Sequence, residues 1–213
     1  MDHRTKIANT WNDLASAYHE KFKDLTIYDE SYVLFCDLIK TKNASLFEIA
    51  CGPGNVTRSL LKLREDLRID AIDIAPSMLK LAKEINPKVD FKEMDCRKID
   101  QILKRFDAIL CGFCLPYLNQ EECEKLIYDC SVLLKENGIF YLSLIEGEYK
   151  KSKLETSSNG KHTMFVYLHE QSFLEAVLQK NNFQLLHLLK IPYQKSNSEQ
   201  DVHLIFITRK MKQ

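Results

Sequence analysis

Apolar residues recur along the chain in two alternating rhythms. Short, mostly apolar runs at residues 46–50, 69–74, 89–91, 106–111 and 139–145 predict strands buried on both faces. Between them, Val56, Leu60 and Leu63 fall at helical spacing, as do Met78, Leu81, Ala82 and Ile85. Residues 120–134 carry the clearest amphipathic stripe, with Cys123, Leu126, Ile127, Cys130, Leu133 and Leu134 on one face. Strand and helix therefore alternate, which predicts a doubly wound α/β sheet with helices on both sides. Two last apolar runs, 183–191 and 202–208, flank the polar stretch 194–201 and predict an antiparallel hairpin. The expected sheet has seven strands, mostly parallel, with that hairpin at its C-terminal side.

Outside this alternation, Ile7, Trp11, Leu14 and Tyr18 predict an N-terminal helix, and Tyr32, Phe35, Cys36 and Ile39 a second one. Asn137-Gly138 reads as the stop of the helix over 120–134. Residues 147–165 are polar, with Gly147, Ser152, Ser157, Ser158, Asn159 and Gly160, and read as a mobile loop over the site. Residues 164–169 regain order, and Phe173, Leu174, Val177 and Leu178 mark a helix ending at Asn181-Asn182. The chain reads as a single domain over 1–213: a helical cap (1–44), a core (45–146), a substrate-side loop (147–168), and the last helix with its hairpin (169–213).

Between the first strand and its helix lies Gly52-Pro53-Gly54. Glycines there let the backbone pass close to a ligand at the carboxyl end of a strand, where open α/β sheets bind. The second strand run carries Asp73, 19 residues beyond Gly54, the spacing at which nucleotide-binding α/β folds place an acid for a ribose diol. A nucleotide-like cofactor is expected at this turn.

Composition narrows the field. Thirty basic residues balance thirty acidic ones among 213, so no electrostatic field is expected to collect nucleic acid or an anionic membrane. No signal peptide and no apolar run of membrane-spanning length is found, so the expectation is a cytoplasmic protein with no membrane association. Seven cysteines, an odd number scattered through apolar segments, fit reduced thiols. Cys111-Gly-Phe-Cys114 has ligand spacing but lacks a second pair, so it reads as a strand end and loop, with no metal expected.

As a set and in order, Glu48-Ile-Ala-Cys-Gly-Pro-Gly-Asn55, Asp73-Ile-Ala-Pro-Ser-Met-Leu79, Phe91-Lys-Glu-Met-Asp-Cys96, Phe106-Asp-Ala-Ile-Leu110 and Leu133-Leu-Lys-Glu-Asn-Gly-Ile139 resemble the motifs of class I S-adenosylmethionine-dependent methyltransferases. That resemblance implies a Rossmann-like sheet, S-adenosyl-L-methionine as cofactor, and in-line methyl transfer to a small-molecule acceptor. It implies a cofactor set of Tyr18, Glu48, Ala50, Cys51, Gly52, Gly54, Asn55, Asp73, Ile74, Met78, Asp95, Cys96 and Cys111. Within that set Asp73 takes the ribose hydroxyls, Ile74 packs on the adenine, Asp95 accepts from the adenine amino group and the Cys96 backbone meets a ring nitrogen. Trp11 to Tyr18 resembles a cofactor cap, with simple packing as the other reading. Asp73 also suits a helix cap, Met78 the core, and Asp95 a loop carboxylate.

Should the acceptor need a general base, His162 and His169 are the candidates, with Tyr18 and Glu146 as positioning groups. His187 and His203 fall in hairpin strands and read as structural. Methyltransferases acting on amino nitrogens commonly carry Asn or Asp before Pro-Pro-aromatic at the fourth strand's end. Cys114-Leu-Pro-Tyr117 lacks that amide or carboxylate. Two other readings stand beside methyl transfer: a Rossmann-type NAD(P)-binding oxidoreductase, disfavoured by Thr57 at the third glycine position, and a non-catalytic S-adenosylmethionine-binding protein. Either a monomer or a homodimer is compatible with the sequence.

Overall fold

The structure is a computed structural model that describes residues 3–157, 160–195 and 199–212, with side chains from residue 6 onward. Ser158 and Asn159 of the expected loop, and residues 196–198 of the expected hairpin turn, lie outside the described residues. Five parallel strands form the centre: β1 (Ser45–Ile49), β2 (Arg68–Asp73), β3 (Asp90–Glu93), β4 (Phe106–Cys111) and β5 (Leu134–Ile145). Two strands, β6 (Lys153–Thr156) and β7 (Thr163–Val166), pair only with each other. A long hairpin, β8 (Phe183–Gln194) and β9 (Gln200–Lys210), completes a seven-stranded sheet of order β3-β2-β1-β4-β5-β9-β8, with β9 antiparallel to β5.

Alternate strand residues enter two separate cores. Phe47, Ile109, Cys111, Phe140 and Leu142 face α5 (Gln120–Leu133) and α6 (Gln171–Lys180). Their neighbours Leu46, Ala108, Leu110, Ile139 and Tyr141 face α2 (Asp29–Leu38), α3 (Asn55–Leu63) and α4 (Pro76–Ile85). Covered on both sides, the strands have no solvent face to mark with polar residues, which is why they read as near-continuous apolar runs. α5 starts with a reciprocal capping box between Asn119 and Glu122, whose backbone and side chains exchange bonds of 2.9 and 3.0 Å.

α1 (His3–Phe22) lies against α4 rather than in either core. Asn12 Oδ1 accepts from Ser77 N at 2.8 Å and so caps α4 from another element, while Trp11, Ala15 and Tyr18 pack on Ala75 and Met78.

Two expectations are corrected. The helix stops at Leu133 rather than at Asn137-Gly138, because Leu134 already pairs with Phe106. Residues 135–138 form an irregularity before Ile139 regains register, and Asn137 there adopts φ +60°. A Cβ at Gly138 would lie 2.9 Å from Lys135 O, so close backbone approach requires glycine at that position. The polar stretch 147–165 is not a plain loop, since it contains β6 and all but the last residue of β7, which pair over four residues each. Among the described residues, no helix is long and apolar enough to cross a membrane.

Candidate functional site

The sheet reverses order between β1 and β4, and at the carboxyl ends of those strands lies a cavity of about 810 Å³. That is the place where open α/β sheets bind ligands, and the size suits a cofactor with a small second molecule. β1 ends in a left-handed turn: Ala50 has φ +55°, Gly52 +55° and Gly54 +78°. Gly52 lines the cavity, and a Cβ built on it would meet nothing within 4 Å. Gly54 does not line it. A Cβ there would stand 2.6 Å from Asn86 Nδ2, which donates to Gly54 O at 2.9 Å, so this glycine serves the packing of the turn on α4. The expected close approach to a ligand thus rests on one glycine of the pair.

Two carboxyls lie under the turn. Glu48 is 1% exposed and its Oε2 accepts from the Thr57 hydroxyl at 2.6 Å. Burial pushes its pKa up to about 8, although Thr57 pulls the other way. Thr57, which breaks the dinucleotide glycine pattern, is therefore the partner of a buried acid. Asp73, at the end of β2, accepts from Gly52 N and Ala75 N, both at 2.9 Å. Burial raises its pKa as well, against the pull of those backbone donors.

Glu48, Ala50, Cys51, Gly52 and Asn55 line the cavity from the first turn. Asp73, Ile74 and Met78 line it from the second, and Asp95 and Cys96 from the loop after β3. Asn55 Oδ1 meets His19 Nδ1 at 2.8 Å, whereas Asn55 Nδ2 is buried with no protein partner. An orphaned donor lining a cavity is a ready contact for an acidic ligand group. Asp95 Oδ1 accepts from Arg97 N and Nε at 3.0 and 2.8 Å, and Arg97 reaches Glu122 at 2.9 Å, so this carboxylate is built into the loop rather than solvated. Cys111 is buried in the core and Gly112 lines the cavity in its place. Cys114 Sγ lies 3.5 Å from Cys96 Sγ, with both thiols pushed up, and no metal-ligating cluster exists among the described residues.

The expected bases sit elsewhere. His169 is fully buried, with Nε2 3.1 and 3.2 Å from the Leu115 and Leu118 carbonyls, and burial lowers its pKa. It ties the segment before α6 to the loop after β4 and does not line the cavity. His162 is 3.6 Å from Asp13 on α1 and also lies outside the lining. Tyr18 does line it, in edge contact with Trp11 at 5.3 Å, and burial pushes its hydroxyl up to about 12. Such a phenol holds its proton at neutral pH and acts as a donor.

Sequence reading missed His203, which the structure puts on the cavity wall. β9 runs antiparallel to its neighbours, so its start lies level with the carboxyl ends of the parallel strands: His203 is opposite Ile145, the last residue of β5. A polar residue at the opening of a last antiparallel strand was the available signal.

Residues 46–138 match the family described as a methyltransferase domain. The protein 235L of Invertebrate iridescent virus 6, named as a methyltransferase, is 29% identical over 133 residues, covering 62% of this chain and 47% of the relative. The mitochondrial ubiquinone biosynthesis O-methyltransferase of Saccharomyces cerevisiae is 26% identical over 177 residues, covering 74% and 56%. This chain thus spans about half the length of those curated relatives. Among solved structures, the 1,6-didemethyltoxoflavin-N1-methyltransferase of Burkholderia thailandensis superposes with TM-score 0.71 at 18% identity, covering 100% of this chain and 92% of that one. At that identity the likeness speaks for the fold.

Proposed function

We propose, from the premise that residues 46–138 are a class I S-adenosylmethionine-dependent methyltransferase domain, that this chain transfers a methyl group from S-adenosyl-L-methionine to a small-molecule acceptor. One observation carries the reading: Asp73 ends β2 on the cavity wall beside the open Gly52 turn.

The residues present fit the cofactor. Asp73 takes the ribose diol, Ile74 and Met78 pack on the adenine, and Asp95 with the Cys96 backbone meets its polar edge. Asn55 Nδ2, orphaned in the structure, is the donor for the amino-acid carboxylate. The cofactor supplies an activated methyl group on a sulfonium. What remains for the protein is to hold the acceptor in line and keep water out. Tyr18 and Trp11 on α1 close the cavity from above α4, and the β6–β7 hairpin adds Leu154 and Glu155 to its wall.

Relatives bear names with different acceptors, among them a malonyl-acyl-carrier-protein O-methyltransferase and a protein N5-glutamine methyltransferase, so they do not choose one. Cys114–Tyr117 offers no side-chain amide or carboxylate for an amino nitrogen, which disfavours the glutamine class. The matched family disfavours the nicotinamide alternative.

Thermal unfolding with S-adenosylmethionine, S-adenosylhomocysteine, NAD and NADP in parallel tests this. A ligand that binds only the folded state raises the melting temperature by mass action. Stabilisation by the two adenosyl-sulfur ligands alone is expected. A shift with a nicotinamide and none with these would overturn the reading.

A further inference from the structure

One wall of the cavity is aromatic and takes no part in the cofactor set. His203 stands at its centre, stacked on Tyr193 with ring centroids 4.7 Å apart and planes 15° apart, and in edge contact with Phe113 at 4.8 Å. The Tyr28 hydroxyl meets its Nδ1 at 2.6 Å. Nε2 therefore remains for a ligand. Phe113 holds φ +51°, an uncommon backbone for an aromatic residue, and its N–H donates to Ser143 Oγ at 2.9 Å. Backbone strain of this kind clusters at functional sites, where the fold holds a side chain in a required direction. Tyr28, Phe113, Tyr193 and His203 all line the cavity.

Charge on this wall is partly offset from within. Lys195 reaches Asp201 at 2.9 Å and Glu155 at 3.1 Å, so one cation stands against two carboxylates. Asp201 pulls the His203 pKa up and Lys195 pulls it down, but burial dominates and lowers it to about 4. The imidazole is thus neutral near pH 7. Flanking phenols at Tyr28 and Tyr18 hold their protons, since burial raises both. Aromatic faces around an imidazole nitrogen offer stacking to a flat ring and a hydrogen-bond partner to a hydroxyl on it.

Building on the methyl-transfer reading, we propose that this wall is the acceptor subsite, that its ligand is an aromatic ring bearing a hydroxyl, and that His203 Nε2 receives the hydroxyl proton during transfer. The new bond joins the acceptor oxygen to the methyl carbon. The sulfur–methyl bond breaks, its electron pair staying on the thioether sulfur. The oxygen's proton passes to Nε2 and later to water. Acceptance at Nε2 requires the tautomer in which Nδ1 carries the hydrogen and donates to the Tyr28 oxygen, with the Tyr28 O–H turned to the cavity that Tyr28 lines. Positive charge is conserved within the cavity, since the sulfonium is lost as the imidazolium forms.

The test uses the full chain saturated with S-adenosylhomocysteine and a panel of mono- and bicyclic phenols, each beside its methyl ether and its aniline counterpart, titrated by calorimetry. At least one phenol should bind ten times more tightly than both counterparts, because only the phenol offers Nε2 an acidic O–H. His203→Gln should remove that preference while S-adenosylhomocysteine affinity stays within twofold. With S-adenosylmethionine, H203Q should slow ether formation about 100-fold or more, the usual scale for a lost general base. If H203Q does not fold, Tyr28→Phe leaves the imidazole without its partner and should weaken phenol binding at least threefold. Binding of S-adenosylhomocysteine with no phenol bound, an aniline preferred, or a phenol preference unchanged in both variants would overturn the assignment alone. Failure of S-adenosylhomocysteine itself to bind would remove the methyl-transfer reading, and this inference with it.

Discussion

Glu48 is a carboxyl almost wholly withdrawn from water at the base of the cavity. Folded, it holds its proton up to about pH 8, while in the unfolded chain it loses it near the ordinary value of 4.5. Between those values the unfolded chain binds fewer protons, so this group's contribution to stability falls as pH rises, by at most about 1.4 kcal/mol per pH unit. Glu48→Gln should flatten that slope in urea unfolding of the cofactor-free protein from pH 5 to 8. An unchanged slope would mean that Glu48 is ionised. Asp73 supplies a second residue-scale prediction. Hydrogen bonds to a charged group contribute about 1.5–3 kcal/mol, so Asp73→Ala should weaken S-adenosylhomocysteine binding about 10- to 100-fold in calorimetry. Equal affinity would refute the ribose assignment. Both acids were legible in the sequence because each ends or lines a strand run at a fixed distance from the glycine turn. His203 was read as structural, since its partner Tyr28 is 175 residues away and no local pattern links the two.

Elements with a repeating apolar pattern were read within a few residues of their ends, while those without one were not. β6 and β7 are four residues each and, among the described residues, pair with each other alone, too short for a period to mark them, and an isolated two-stranded hairpin is marginal by itself. Outside contacts hold it. Lys195 bonds to Glu155, Lys6 to Thr163 at 3.3 Å, and Tyr167 N donates to Pro116 O at 2.8 Å. Lys195→Met should therefore speed amide hydrogen exchange in 153–156 and 163–166 at least threefold, with the central sheet unaffected. Equal protection in both proteins would show that the lysine does not anchor the hairpin. The segment just after β7 is held from inside by His169. His169→Ala removes the imidazole's bonds to the Leu115 and Leu118 carbonyls, which keep Leu118 N and the Cys123 thiol, and opens space in the core, a loss of about 2–4 kcal/mol in urea unfolding. A cost below about 0.5 kcal/mol would contradict the structural role given to it.

At the scale of the whole molecule, the parallel strands and their helices set a floor at the β1/β4 reversal, and three separate segments build walls on it. α1 stands over α4, the β6–β7 hairpin adds a side, and the start of β9 brings an aromatic face. The floor follows local rules of strand, glycine turn and helix, so the sequence announced it. The walls depend on contacts between distant segments, which is why the glycine-turn side of the cavity was foreseen in more detail than the β9 side. The account stands or falls on that floor holding an adenosyl-sulfur ligand. Calorimetric titration of the full chain with S-adenosylhomocysteine, with NAD in a parallel cell, measures this directly. One-to-one binding of S-adenosylhomocysteine and no heat from NAD is the predicted result, whereas saturable NAD binding with none of S-adenosylhomocysteine would contradict it.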